Sequence, residues 1–149
     1  MGDQEAVVLL VDLDDRPDCV AFKKQLTSVL QSCKKPPKCL IRIAIEELEA
    51  WYLGDEEAIK DACGPCNEKA FKKYSQDSQC GTWEILAEAI HPGGVKELFK
   101  HGKRSVRILK EKRKWATMIP PKMNIEKNKS PSFCRFRDGL RRWAEIGRA

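Results

Sequence analysis

The chain has 149 residues, 42% hydrophobic and 34% charged, with a net charge of +6. That length suits a single domain with one real core, spanning 1–149. No apolar run approaches the ~20 residues needed to cross a bilayer, and no basic, apolar and cleavable leader opens the chain, so a soluble cytoplasmic protein is expected. Seven cysteines, an odd number spread over most of the chain, then read as reduced thiols.

Charge is unevenly placed. Residues 1–95 carry 11 Lys and Arg against 17 Asp and Glu, whereas residues 96–149 carry 17 against 5. An acidic α/β part, about 1–62, is thus followed by a basic helical part, about 82–149. A basic half can hold a polyanion, and it can equally be a solvated surface.

Along the chain, residues from about 5 to 11 read as a strand, and Val7 to Val11 form an apolar run of the kind buried in parallel sheets. Asp12, Asp14 and Asp15 follow at its carboxyl end, where open α/β sheets place ligands. Asp18 can cap a helix with Val20, Leu26, Val29 and Leu30 in mostly helical period, ending near Cys33 before Pro36-Pro37. Cys39 to Ile45 is a second strand, completing a right-handed βαβ unit.

Glu46, Glu47 and Glu49 come next and should open a short helix ended by Gly54, with Glu46 and Glu49 on one face and Leu48 and Trp51 on another. Asp55 reads as the N-cap of a further helix. Cys63 to Gly81 looks polar and irregular. Thr82 is placed as the cap of a helix that His91-Pro92-Gly93-Gly94 stops. A basic helix is expected from about Ser105 to Ile119, and Ser130-Pro131 should open the last one as N-cap and N1. Phe133, Phe136, Leu140 and Trp143 form its apolar stripe.

Two parallel strands end on one edge of a sheet, so Asp12 and Asp14 should approach Glu46, Glu47 and Glu49. Crowded carboxylates repel, and Mg²⁺ favours oxygen ligands of this kind. Such a centre is the usual apparatus of phosphodiester chemistry. The plainer alternative is that these acids cap helices and stay solvated. Lys103 to Lys114, with Arg104, Arg107 and Arg113, is the best nucleic-acid footprint; contacts there would go to phosphates.

Cys63-Gly64-Pro65-Cys66 has the spelling of a thioredoxin motif, but a helix should end at Cys63 rather than begin there. Zinc held by Cys63, Cys66, Cys80 and His91 or His101 is the weaker cofactor option, because a second Cys-x₂-Cys pair is missing.

Several segments together carry a resemblance: Val-Asp-Leu-Asp-Asp with Cys19, Arg-Ile-Ala-Ile-Glu-Glu-Leu-Glu-Ala-Trp-Tyr-Leu-Gly-Asp (42–55) and Asn-Lys-Ser-Pro-Ser-Phe (128–133). They resemble the Toprim-related, OLD-nuclease-like proteins of unknown function often encoded beside ATPases in phage-defence neighbourhoods. The resemblance implies a small α/β domain with a parallel sheet. It matches Asp12 and Asp14 to an Asp-x-Asp metal motif, Glu47 and Glu49 to the Glu-Leu-Glu-Ala-Trp motif, and Ser130 and Ser132 to a terminal motif whose helix N-terminus could touch phosphate.

Related proteins usually carry an earlier strand and a Glu-Gly-x-Thr-Glu-like turn. Here Met1 to Glu5 leads straight into the Asp-x-Asp strand, as in a shortened member or a fragment. Glu46, Glu47 or Glu49 would then complete the site. The Val7–Val11 strand would be left as an apolar sheet edge for a second copy or a partner chain to cover.

The expectation is therefore a Toprim-like α/β fold with a short parallel sheet and a mostly helical C-terminal half. Its expected function is Mg²⁺- or Mn²⁺-dependent cleavage of nucleic acid, possible in phage defence or a mobile element. Asp12, Asp14, Glu46 and Glu49 are the candidate catalytic residues. The alternative is a non-catalytic module partnering an ATPase.

Overall fold

The computed structural model describes residues 6–100, 102 and 105–146. Its sheet has two parallel strands, β1 (Ala6–Asp12) and β2 (Lys38–Ala44), in register from Ala6 opposite Lys38 to Asp12 opposite Ala44. Helix α1 (Cys19–Gln31) joins them, and the Asp18 carboxylate caps it by accepting from the Val20 and Ala21 amides. The βαβ unit thus stands as expected, and the chain is α/β.

Beyond β2 the chain is mostly helical: α2 (Glu49–Leu53), α3 (Glu56–Cys63), α4 (Glu68–Phe71), α5 (Thr82–Ile90), α6 (Gly94–Phe99), α7 (Val106–Met118) and α8 (Pro131–Ile146), with a 3₁₀ turn at Pro120–Lys122. Asp55 caps α3 through the Ala58 amide. Ser130 caps α8 by accepting from the Phe133 amide.

The main core gathers Leu53, Ile59, Leu86, Leu98 and Ile119, all almost wholly buried, from α2, α3, α5, α6 and the end of α7. A smaller core joins the sheet to α8: Ala44, Ala50, Trp51 and Phe133, with Trp51 stacked on Phe136 at 5.0 Å. Together they bind the acidic first third to the helical remainder. Among the described residues, no helix is long and apolar enough to cross a membrane.

Four local expectations are corrected. The 63–81 stretch is not wholly irregular, since Asn67 caps the one-turn helix α4. Thr82 is not a cap; it is the first residue of α5 and fully buried, and Gly81 in the left-handed region takes the cap position. The Pro-Gly-Gly stop leads directly into α6, because Gly93 at φ 82 reverses the chain and starts a new helix. Finally, Glu46 and Glu49 share no helix face. The helix begins only at Glu49, and Glu46 lies before it at φ 61.

Among the described residues β1 pairs only with β2, and Val7 and Val8 on that edge strand are 39% and 44% exposed. Helix α1 buries none of its residues.

Candidate functional site

Both strands end in a tight turn at the same edge. The Leu13 amide donates to the Ala44 carbonyl at 3.0 Å, and the Asp14 amide to the Glu46 carbonyl at 2.7 Å. Asp14 and Glu46 both adopt positive φ, 53° and 61°, a conformation that costs non-glycine residues energy and tends to persist where surrounding structure enforces it. This pair of turns aims Asp12, Glu47 and Glu49 at one another.

The three acids sit in a progressively drier setting. Asp12 and Glu47 are half-buried, and Glu49 is only 6% exposed. Burial raises the Asp12 carboxyl above its ordinary value, and the neighbouring Glu47 and Asp14 charges add to the rise. Burial also raises Glu47, with Glu49 contributing. Glu49 is raised by burial first, with Asp12 a lesser contributor, against the opposing pull of Lys112. Glu84, on α5, faces the same cluster and is raised by burial and by Glu47 and Glu46.

Lys112 is the cation of this centre. Its ammonium lies 3.1 Å from Glu47 Oε1 and 3.2 Å from Glu49 Oε1, with the Trp83 ring 5.7 Å away. Burial pulls its pKa down, but Glu49 and Glu47 outweigh that and hold it above the ordinary lysine value. The sequence grouped Lys112 with the outward basic footprint. The structure turns it inward instead, on the stripe of α7 that carries Ile108 and Trp115. One ammonium faces four carboxylates, and two buried oxygens, Glu47 Oε2 and Glu84 Oε2, have no hydrogen-bond partner among the described residues.

The other candidates are placed differently. Asp14 is exposed and ion-pairs with Arg16 at 3.2 Å. Glu46 points at the start of α5, where its carboxylate accepts from the Gly81 amide at 2.7 Å, the Thr82 amide at 2.8 Å and the Cys80 amide at 3.3 Å. It ties the strand edge to a helix N-terminus rather than facing Asp12.

Ser130 and Ser132 are buried. Asp77 accepts from the Ser130 hydroxyl and the Ser132 amide, both at 2.6 Å, so a carboxylate already fills the place a phosphate would take at the α8 N-terminus. The Ser132 hydroxyl accepts from Trp51 Nε1 at 2.9 Å. Arg107 and Arg113 are exposed on α7, and Arg104 lies outside the described residues, as does His101.

The donor set suits a hard divalent cation: Asp12, Glu47 and Glu49 offer oxygen only, in excess over their one counter-ion. As they stand, no three His, Cys, Asp or Glu side chains among the described residues close on a single point, and Lys112 bridges the two glutamates instead. The same holds for zinc at the cysteine loop. Cys63 closes α3 rather than opening a helix, and burial raises both the Cys63 and Cys66 thiols, the opposite of a reactive thiolate.

Sequence reasoning missed Lys112 as a member of the site, and it missed Glu84. The only signal for either was a charged residue at a position whose helical neighbours are apolar, Ile108 and Trp115 for one, Leu86 and Ala87 for the other. No curated protein and no solved structure matches the chain. A family model does match, over residues 2–141, and by it the chain belongs to the domain-of-unknown-function family DUF4276.

Proposed function

We propose that the protein is a Toprim-like, metal-dependent nuclease that cleaves a phosphodiester bond in nucleic acid, with Asp12, Glu47 and Glu49 as ligands for Mg²⁺ or Mn²⁺. The observation that supports this best is the meeting of carboxylates from the ends of two parallel strands, with raised pKa values and a buried Glu47 oxygen lacking a partner. A bound ion would supply Lewis-acid polarisation of a phosphoryl oxygen and a more acidic water.

The chain's own residues divide the remaining work. Asp12, Glu47 and Glu49 provide negative charge in a site partly closed to water. Lys112 balances the two glutamates and is placed to meet a phosphate when they turn to an ion. Arg107 and Arg113 hold backbone phosphates from the outer face of α7. Glu46 positions α5 and takes no ligand role, and Asp14, exposed and paired with Arg16, stays at the rim. The Toprim-like assignment, the phage-defence setting and an ATPase partner rest on the motif resemblance.

A second reading has its own observation. Lys112 satisfies Glu47 and Glu49 from within the chain, which is what a non-catalytic module would retain after losing its ion. One experiment separates the two. Purified protein is titrated with Mn²⁺ calorimetrically and incubated with plasmid and single-stranded DNA in Mg²⁺ or Mn²⁺, beside Asp12→Asn and Glu49→Gln. The nuclease reading expects binding and cleavage that both variants lose by at least about 10–100-fold, the range even indirect metal partners give. Equal cleavage by all three proteins refutes it. Binding without cleavage, or neither, leaves the module reading.

A further inference from the structure

A cavity of about 490 Å³ opens between α1, β2 and α8. Lys23, Arg42, Arg135 and Arg142 line it, Ile43 and Ile45 form part of its apolar wall, and no carboxylate belongs to the lining. Among the described residues no acid forms an ion pair with any of the four cations; Asp138 lies one helical turn from Arg142 and is paired with Arg137. Asp18 already occupies the Val20 and Ala21 amides at the start of α1, so the cavity's charge is that of its side chains.

Arg42 is built in rather than draped over the surface. Its Nε donates to the Arg135 carbonyl at 3.0 Å and its Nη1 to the Ile41 carbonyl at 2.8 Å. Gly139, inside α8, is where the guanidinium lies against the helix: a Cβ there would come within 2.9 Å of Arg42 Cζ. Glycine in a helix interior is costly, and here it makes room for a charge. That charge is bonded only to neutral carbonyls and faces a second guanidinium. Burial, and then Arg142, pull Arg42 below its ordinary pKa, the mark of cations awaiting an anion.

We infer that this cavity is a phosphate subsite that holds a backbone phosphate of a nucleic-acid strand, with the attached sugar or base against Ile43 and Ile45. The guanidinium fork matches phosphate geometry, and the apolar wall suits what a nucleotide carries beside its charge. Continuity favours a strand over an acidic peptide. Ser132 lines the cavity and is hydrogen-bonded to Trp51, two residues beyond Glu49 on α2, so the cavity and the acidic centre adjoin one short helix. A polymer with a phosphate at every repeat spans both. The inference rests on the proposed nucleic-acid function for the identity of its ligand.

The test is binding without metal. Fluorescein-labelled dT12 is titrated by anisotropy in EDTA against wild type, Arg135→Glu/Arg142→Glu, and a control reversal at Lys72 and Lys73 (Lys72→Glu/Lys73→Glu), exposed and outside the cavity. Arg135 and Arg142 are themselves exposed, and melting curves verify that each variant folds.

The cavity variant should bind at least about tenfold more weakly, with the log–log salt slope reduced by about 1.4 for two lost single-strand contacts; the control should change little. Inorganic phosphate as competitor identifies the source: displacement of dT12 assigns the subsite to a terminal or free phosphate, and no displacement assigns it to an internal one. Equal losses in the two variants, or no loss in the cavity variant, overturn the inference. Tighter binding of a deca-glutamate peptide than of dT12 also overturns it, in favour of an acidic protein partner. Because no metal is present, failure here leaves the cleavage experiment standing, and failure to cleave leaves this one standing.

Discussion

Replacing Lys112 by Met removes the single ammonium between Glu47 and Glu49 while keeping the length of the side chain. Removing one partner of a buried ion pair costs about 3–5 kcal/mol, because the charge left behind has neither water nor counter-ion. The Lys112 and Glu47 side chains keep 26% and 22% exposure, and Glu49 keeps 7%. Partial access to water for two of the three places the expected loss at the lower edge, about 3 kcal/mol. For a chain of this size that corresponds to a fall in Tm of roughly 6–12 °C.

Circular-dichroism melting at pH 7 reads this directly. The deficit should shrink in acid: without Lys112 the two glutamates hold protons more tightly still, and once they are neutral there is no charge left uncompensated. Lys112→Met/Glu49→Gln should recover much of the loss. Added Mg²⁺ should raise the Tm of Lys112→Met more than that of wild type if an ion can take the ammonium's place. A single variant melting within about 1 °C of wild type, or a double variant no better than the single, would refute the coupling.

Three more outcomes are expected at other contacts. Asp12→Asn should be more stable than wild type at pH 7, because a folded pKa raised above the ordinary aspartate value means the carboxylate form disfavours the fold; the gain should vanish as pH falls below that ordinary value, and a gain independent of pH would count against the burial argument. Ser132→Ala should cost about 1–3 kcal/mol by leaving buried Trp51 Nε1 without an acceptor, and it should shift tryptophan emission. Asp55→Ala removes both the α3 cap and the acceptor of the Asn124 amide at 2.7 Å, so urea melts should show a loss of about 1–2 kcal/mol.

The parts legible in the sequence were those governed by neighbours in the chain. The Val7–Val11 run announced β1, Asp18 and Asp55 announced their helices, and Ser130-Pro131 announced α8. Short helices escaped: α4 and α6 are too brief for periodicity to register and are held by packing of Phe71 and Leu98. The site was half legible. Strand topology brings the ends of β1 and β2 to one edge, which places Asp12 near 46–49. Which glutamate turns inward depends on a positive φ at Glu46, and the counter-ion sits 65 residues beyond Glu47 on a helix whose composition reads as outward-facing. Non-local choices of this kind leave little trace in spacing.

Glu46 has the same side chain as its neighbour and a different employment. Its two oxygens are taken up by three amides at the head of α5, the helix that carries Trp83 and Glu84 against the acidic cluster. The rear wall of that cluster is therefore hung from a hinge pin that does no chemistry. Were position 46 invariant across relatives, it would record how the scaffold is assembled; 47 and 49 would record what the scaffold is for.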